Sequence, residues 1–259
     1  MNSIAILAKK ELQGFFMTPS FFFVTFLITV ILSFLFPIHF GMFTESLQMA
    51  APGVGGSQQA NIHYGLFLRH LSYMNLILIF IVPAFTMKMI AEEKKMKTFD
   101  LLLTAPITSW DIVLGKFLAV FGALFAIMLI ALIYPLVTIM MVDKIHWPSL
   151  IMAFAGIFAL SLVYAAMNLF CSALTESVLI SYIMSVILNV SIWFVGIGVE
   201  AVDSQTARQI FEHISLSTHL AGLVEGVVRV QSLTFFVTSI ALFLFLAERV
   251  VESHRWRAS

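Results

Sequence analysis

Residues 117–142 read FLAVFGALFAIMLIALIYPLVTIMMV, an apolar run without a single charged side chain. A bilayer core of about 30 Å needs about 20 helical residues at a rise of about 1.5 Å each, so this run is long enough to cross one. A membrane β-strand would alternate apolar and polar residues over about ten positions, and this run does not alternate. Outward from it, 21–43, 71–90, 150–174, 178–199 and 232–250 have the same character, the last being the weakest because its charge-free core ends before Glu248. Tilt or local thinning of the bilayer absorbs a short span. The whole chain is 61% hydrophobic and 11% charged, whereas soluble domains are about half apolar and about a quarter charged. The expected fold class is an all-α integral membrane protein with six transmembrane helices, forming one transmembrane domain over residues 1–259.

Six spans put both termini on one side, and the basic residues identify that side. Lys9, Lys10, Lys88, Lys94, Lys95, Lys97, Lys116, Arg249, Arg255 and Arg257 fall with the termini. Lys144, Arg208 and Arg229 fall in the opposite loops, with Arg69 near the outer end of the second span. Ten against four is a positive-inside bias, which predicts cytoplasmic termini in a multi-pass protein of the bacterial inner membrane. A net charge of zero gives no sign of a nucleic-acid partner. The one cysteine, Cys171, excludes an intrachain disulfide.

Residues 1–18 place Ile4, Leu7, Ala8, Leu12, Phe15 and Phe16 on one broad helical face and Lys9, Lys10 and Gln13 on the other, with Glu11 intruding on the apolar side. The pattern reads as an amphipathic interfacial helix ended by Thr18-Pro19, with a soluble tail as the alternative. It is not a cleavable signal, because the apolar run that follows is too long for an h-region.

Patterns that carry catalysis are missing from the sequence: HExxH, GxSxG and the Walker A loop. The glycines of 51–57 make a poor phosphate loop, since no Gly-Lys-Ser/Thr follows and no strand precedes. His39, His63, His70, His146, His213 and His219 map to the outer half but come from separate segments without a tight metal-ligand spacing. The methionine pairs Met87/Met89 and Met140/Met141 lie in apolar runs and read as packing filler. Asn75, Asn168, Asn189 and Tyr164 read as interhelical glue rather than a substrate path. Between the fifth and sixth spans, residues 200–231 repeat Leu216, Leu220, Leu223, Val224 and Val227 at helical spacing, which predicts a helical hairpin on the outer side.

The inner loop 91–116 is the informative connection. Thr108-Ser109-Trp110-Asp111 matches the Ser/Thr-x-x-Asp/Glu capping pattern ahead of an apolar run, so Thr108 and Asp111 are expected to cap the third helix. Pro106 stops whatever precedes it, leaving 97–104 as a short separate helix. Glu92, Glu93 and Asp100 surround the apolar Phe99, Leu102 and Leu103, with Thr98 at the start of that helix. An apolar knob ringed by charge suits a docking element; a solvated loop with an interfacial leucine patch is the alternative.

Residues 87–106, MKMIAEEKKMKTFDLLLTAP, continued by ITSWDIVLGKF at 107–117, resemble the corresponding loop of ABC-2-type ABC transporter permeases, especially their gliding-motility branch. Lys9-Lys10-Glu11-Leu12 with Phe15, Phe16 and Pro19 is similar to the family's N-terminal helix. His219-Leu220, Gly226-Val227-Val228 and Val251-Glu252-Ser253-His254-Arg255-Trp256-Arg257 resemble its C-terminal block. One departure is Met96-Lys97, where many relatives carry a small residue or glycine before the Thr. The resemblance implies a coupling helix between the second and third spans, formed by Glu92, Glu93, Thr98, Phe99, Asp100, Leu102, Leu103 and Pro106. It also implies a re-entrant hairpin between the last two spans and two permeases paired with two ATPase subunits. ATP and Mg are then bound by the partner ATPase, with no cofactor or metal in this chain, and the gliding-motility branch often adds an auxiliary subunit with a large extracytoplasmic domain.

The expected function is therefore a permease without catalysis of its own, coupling ATP hydrolysis by a separate chain to export or transmembrane force transmission. A copper- or haem-maturation exporter permease and a nucleotide-independent channel or scaffold are the alternatives. The small and polar Ser181, Ser185 and Asn189, four residues apart on the fifth span, are expected to mark the seam with a second or homologous permease.

Overall fold

The computed structural model describes residues 3–49, 62–140, 146–201 and 204–258. The glycine-rich stretch 51–57 and Lys144 lie outside them, as do the side chains of Leu103, Trp256 and Arg257. The described residues form helices and no strand: α1 (Ser3–Met17), α2 (Pro19–Met49), a π turn (His63–Phe67) leading into α3 (Leu68–Thr86), α4 (Ala91–Lys95), α5 (Phe99–Thr104), α6 (Ser109–Ala131), α7 (Ile133–Ile139), α8 (Trp147–Leu174), α9 (Val178–Ala201), α10 (Gln205–Ile214), α11 (Leu216–Val224) and α12 (Val230–Ala258). Six stretches are long and apolar enough to cross a membrane: Pro19–Gln48, His63–Lys95, Ser109–Ile139, Trp147–Leu174, Val178–Gly198 and Val230–Arg255. The third begins earlier than the apolar run alone indicates, because the helix is capped at Thr108 and carries a paired charge, Lys116, inside its second turn.

The core is built around α8, which packs against α3, α6, α9, α11 and α12. Its small residues Ala153, Gly156, Ala165, Ala166 and Ala173 let neighbours approach closely, and van der Waals packing holds helices together where lipid competes for apolar surface. By contrast α2, α9 and α12 expose most of their length, as expected of helices at the rim of a membrane bundle.

Two prolines shape the spans. Pro135 has no N–H to give the carbonyl of Ala131, and the helix breaks there into α6 and α7. Pro83 likewise leaves the carbonyl of Ile79 without its helical donor. Asn189 of α9 supplies one, its Nδ2 donating to Ile79 O at 3.1 Å. This corrects the expected seam: Ser181, Ser185 and Asn189 are fully buried within the chain, facing inward. Small and polar residues do permit close helix approach, and here the fold spends that property on its own neighbours.

At the end of the bundle away from the termini α10 and α11 fold back on α9 and α8. Leu216, Leu220, Leu223 and Val224 are buried, whereas Val227 is exposed because the helix has already ended. The end is a Schellman turn: Val227 N–H donates to Gly222 O at 2.7 Å and Gly226 N–H to Leu223 O at 3.0 Å, with Gly226 at φ +84°.

Candidate functional site at the terminal end

The elbow between α3 and α6 is where the sequence placed its docking element. The turn at 87–90 interrupts the helical ladder, and buried backbone groups must find partners elsewhere. Ser172, near the end of α8, serves three of them: its Oγ accepts from Ile90 N–H at 3.2 Å and Ala91 N–H at 3.1 Å, and donates to Met87 O at 3.1 Å. Lys94 of α4 donates to the carbonyl of Ala173 and lies 2.8 Å from His254 Nε2. A cation at the last carbonyls of α8 also sits at the negative end of that helix's dipole. Phe99, the first residue of α5, is 3% exposed, 5.4 Å beneath the Lys94 ammonium and edge-on to His254.

Lys116 is the second anchor. It is fully buried, and its Nζ meets Glu93 Oε1 of α4 at 2.7 Å and Glu11 Oε1 of α1 at 3.1 Å. A buried ammonium is tolerable only when paired, so this triad fixes α1, α4 and α6 to one another. Gly115 and Gly122 let α1 lie against α6, since a Cβ at either would come within 2.9 Å of Leu7 or Leu12. The return to α6 is fixed as well. Arg255 of α12 donates to Ile107 O at 2.5 Å, and Ser109 donates to Glu252 of the same helix. At the start of α6, Thr108 Oγ1 accepts from Asp111 N–H at 3.1 Å and Asp111 Oδ2 accepts from Thr108 N–H at 2.8 Å, a reciprocal capping box.

The elbow is thus tied to α1, α6, α8 and α12, and what remains exposed is one face: Glu92, Lys95, Met96, Lys97, Thr98, Asp100, Leu101, Thr104 and Pro106. The structure redistributes the predicted docking residues. Phe99 and Glu93 turn inward as anchors, and Leu102 is half-buried against the core. Of the two described leucines of α5, the exposed one is Leu101, at 71%. Sequence reading passed over Leu101 because three consecutive leucines carry no phase of their own. The Lys116 triad did leave a trace: a lysine inside an apolar helix and a glutamate on the apolar face of α1 are complementary misfits.

At the end away from the termini, His39 and His70 meet with their Nδ1 atoms 3.4 Å apart, although 31 residues separate them. His63 Nε2 lies 2.6 Å from Val224 O, and His219 lies between Ser232 Oγ and His213 O. Burial lowers the pKa of His219 and favours its neutral form. Among the described residues no group of three or more His, Cys, Asp or Glu converges as a metal site.

Six membrane-length helices with a braced elbow on one end define a multi-pass helical membrane protein. The profile of the ABC-2 family transporter proteins matches residues 5–251, nearly the whole length, and the chain belongs to that family. Membership implies an ABC ATPase partner in general terms. No curated protein matches the chain.

Proposed function

We propose that the chain is the permease subunit of an ABC transporter and that α5 docks on a separate ATPase subunit, passing its motion through the elbow to the spans. The observation that carries the reading is Leu101, exposed on a six-residue helix whose other side is fixed to the bundle. An exposed apolar side chain between Asp100 and Glu92 suits a partner surface that is apolar with basic flanks. In this reading two permeases pair with two ATPases in the bacterial inner membrane, with both termini cytoplasmic and α1 at the inner interface. ATP and Mg belong to the ATPase, and the permease converts hydrolysis into export or force transmission. The likeness of residues 87–117 supports the gliding-motility branch, with its auxiliary extracytoplasmic subunit, and α10–α11 serve as the outer re-entrant hairpin. With Ser181, Ser185 and Asn189 turned inward, a second permease would meet the exposed face of α9 at Ile180, Ile183 and Ile187.

Leu101→Asp tests the docking reading. The variant should insert normally and keep its stability within about 0.5 kcal/mol, as exposed positions do. It should nevertheless lose the co-purifying ATPase or uncouple hydrolysis from transport by about tenfold, the scale of one hot-spot residue. Full ATPase association with full coupled activity would move the docking surface elsewhere.

A further inference from the structure

Between α1, the start of α2, the end of α3 and α4 runs a groove of about 620 Å³. That volume lies within the range of about 300–1,000 Å³ typical of small-ligand clefts. Its floor is apolar: the rings of Phe21 and Phe85 pack at 5.5 Å, Phe15 meets Phe85 at 6.0 Å, and Val24 continues the wall. Beside it on α2, Phe22, Phe23 and Phe26 are exposed on a membrane-spanning helix, so the apolar floor is continuous with a lipid-facing surface. The rim carries both signs of charge, Lys10 and Lys88 together with Glu92 and Glu93. Lys116 balances one of the two carboxylates it touches, Glu11 or Glu93, and so the groove's two lysines face two remaining negative charges. A balanced rim fits a ligand that is itself zwitterionic better than an anionic one.

One polar group narrows the choice further. Glu93 Oε1 is held by Lys116, and the neighbouring Glu92 is exposed on the groove's lining. An ionised carboxylate only accepts hydrogen bonds, so it favours a ligand that donates them. A primary ammonium offers three N–H donors; a trimethylammonium offers none. A phosphate beside the ammonium pairs with Lys10 or Lys88. We infer that this groove binds a phospholipid of the ethanolamine class, ammonium toward Glu93 and Glu92, phosphate toward the lysines and one acyl chain along Phe21, Val24 and Phe85. The site thus seats a membrane lipid against the elbow. The inference rests on membrane embedding alone and does not depend on the ATPase reading.

The test is lipid retention by the full chain, purified in mild detergent, titrated with dioleoyl phosphatidylethanolamine, phosphatidylcholine or phosphatidylglycerol and read by native mass spectrometry. One ethanolamine lipid per chain should be retained at least fivefold more strongly than either of the others. A Lys10→Gln/Lys88→Gln double variant, changed only at exposed positions, should weaken retention of all three lipids; Glu92→Gln, also exposed, should lose the preference over phosphatidylcholine; and Phe125→Ala on the distant α6 surface should change neither. Equal retention of the three lipids, or retention unaffected by the lysine variant, overturns the site. Stronger retention of phosphatidylglycerol overturns the zwitterionic assignment. Competition by soluble glycerophosphoethanolamine at matching concentration overturns the lipid as its source.

Discussion

Two connections of this chain fold back on the helix bundle, and they are attached by a different balance of forces. The hairpin of α10 and α11 is held mainly by apolar surface, with Leu220 and Leu223 seated on Gly156 of α8, and by single histidine contacts, His63 to Val224 O and His219 to Ser232. Its ion pair, Arg208 with Glu212 at 3.0 Å, is exposed and internal to α10. The elbow of α4 and α5 is held by directional polar contacts: Ser172 on the turn, Lys94 on the end of α8, Lys116 between two carboxylates, and Arg255 on Ile107. Apolar burial is non-directional and tolerates sliding, whereas charged hydrogen bonds fix distance and attitude. The elbow therefore keeps one orientation relative to the spans, which the proposed coupling to an ATPase requires.

The largest effect expected from this contrast is at Lys116. Lys116→Met leaves the half-buried Glu11 and Glu93 without their cation, and the expected loss is about 3 kcal/mol in unfolding measured in detergent, the low end for breaking a buried pair because both carboxylates keep some contact with solvent. On the hairpin, Arg208→Ala removes an exposed i,i+4 pair and should cost no more than about 0.5 kcal/mol. Adding Glu11→Gln and Glu93→Gln to Lys116→Met should recover most of the loss, because the cost lies in unpaired charge rather than missing volume. The comparison breaks if the two single variants cost alike.

A smaller effect sharpens it in mid-membrane. Asn189 bonds the carbonyl that Pro83 leaves open on α3, so the two residues are energetically linked. Asn189→Leu is expected to cost about 0.6–1.7 kcal/mol, the range of interhelical hydrogen bonds in membranes. In a Pro83→Ala background the restored N–H satisfies Ile79 internally, and the same Asn189→Leu change should cost little. A double-mutant cycle without coupling would show that Asn189 serves some other partner.

The spans and the start of α6 were legible because lipid and capping impose rules on local sequence: apolar runs of fixed length, and a Thr108–Asp111 pair with the right spacing. The hairpin was legible from its helical repeat up to Val224, and misread at Val227 because the glycine that ends the helix falls between them. What the sequence could not show is which neighbour claims a buried polar group. Ser181, Ser185 and Asn189 satisfy the rule for close helix approach equally well toward a second subunit or toward α3 and α8. His39 and His70 come together only because α2 and α3 run antiparallel at matching depth. In the elbow, periodicity over six residues was too short to tell Leu101 from Leu102, and Phe99 was drawn inward by Lys94 and His254, residues at the far ends of other elements.

The smallest effect concerns a motif the two connections share. α4 ends in the same Schellman turn as α11: Thr98 N–H donates to Glu93 O at 3.0 Å and Lys97 N–H to Lys94 O at 3.1 Å. The residue in the left-handed position is Gly226 in the hairpin, at φ +84°, and Lys97 in the elbow, at φ 56°. The departure seen at Met96-Lys97 in the sequence thus falls on the position where glycine is at ease. A side chain there costs about 1–2 kcal/mol from the clash of Cβ with the following carbonyl. Glycine returns part of that gain through the greater freedom of its unfolded chain, about 0.5–1 kcal/mol. Lys97→Gly should therefore stabilise the protein by about 0.5 kcal/mol, seen as a small rise in unfolding temperature. Lys97→Ala should give no such rise, because the Cβ remains. If the glycine variant is less stable than the parent, the Lys97 side chain holds the elbow through a contact of its own. The elbow would then rely on a directional anchor even at its turn, where the hairpin of α10 and α11 relies on glycine.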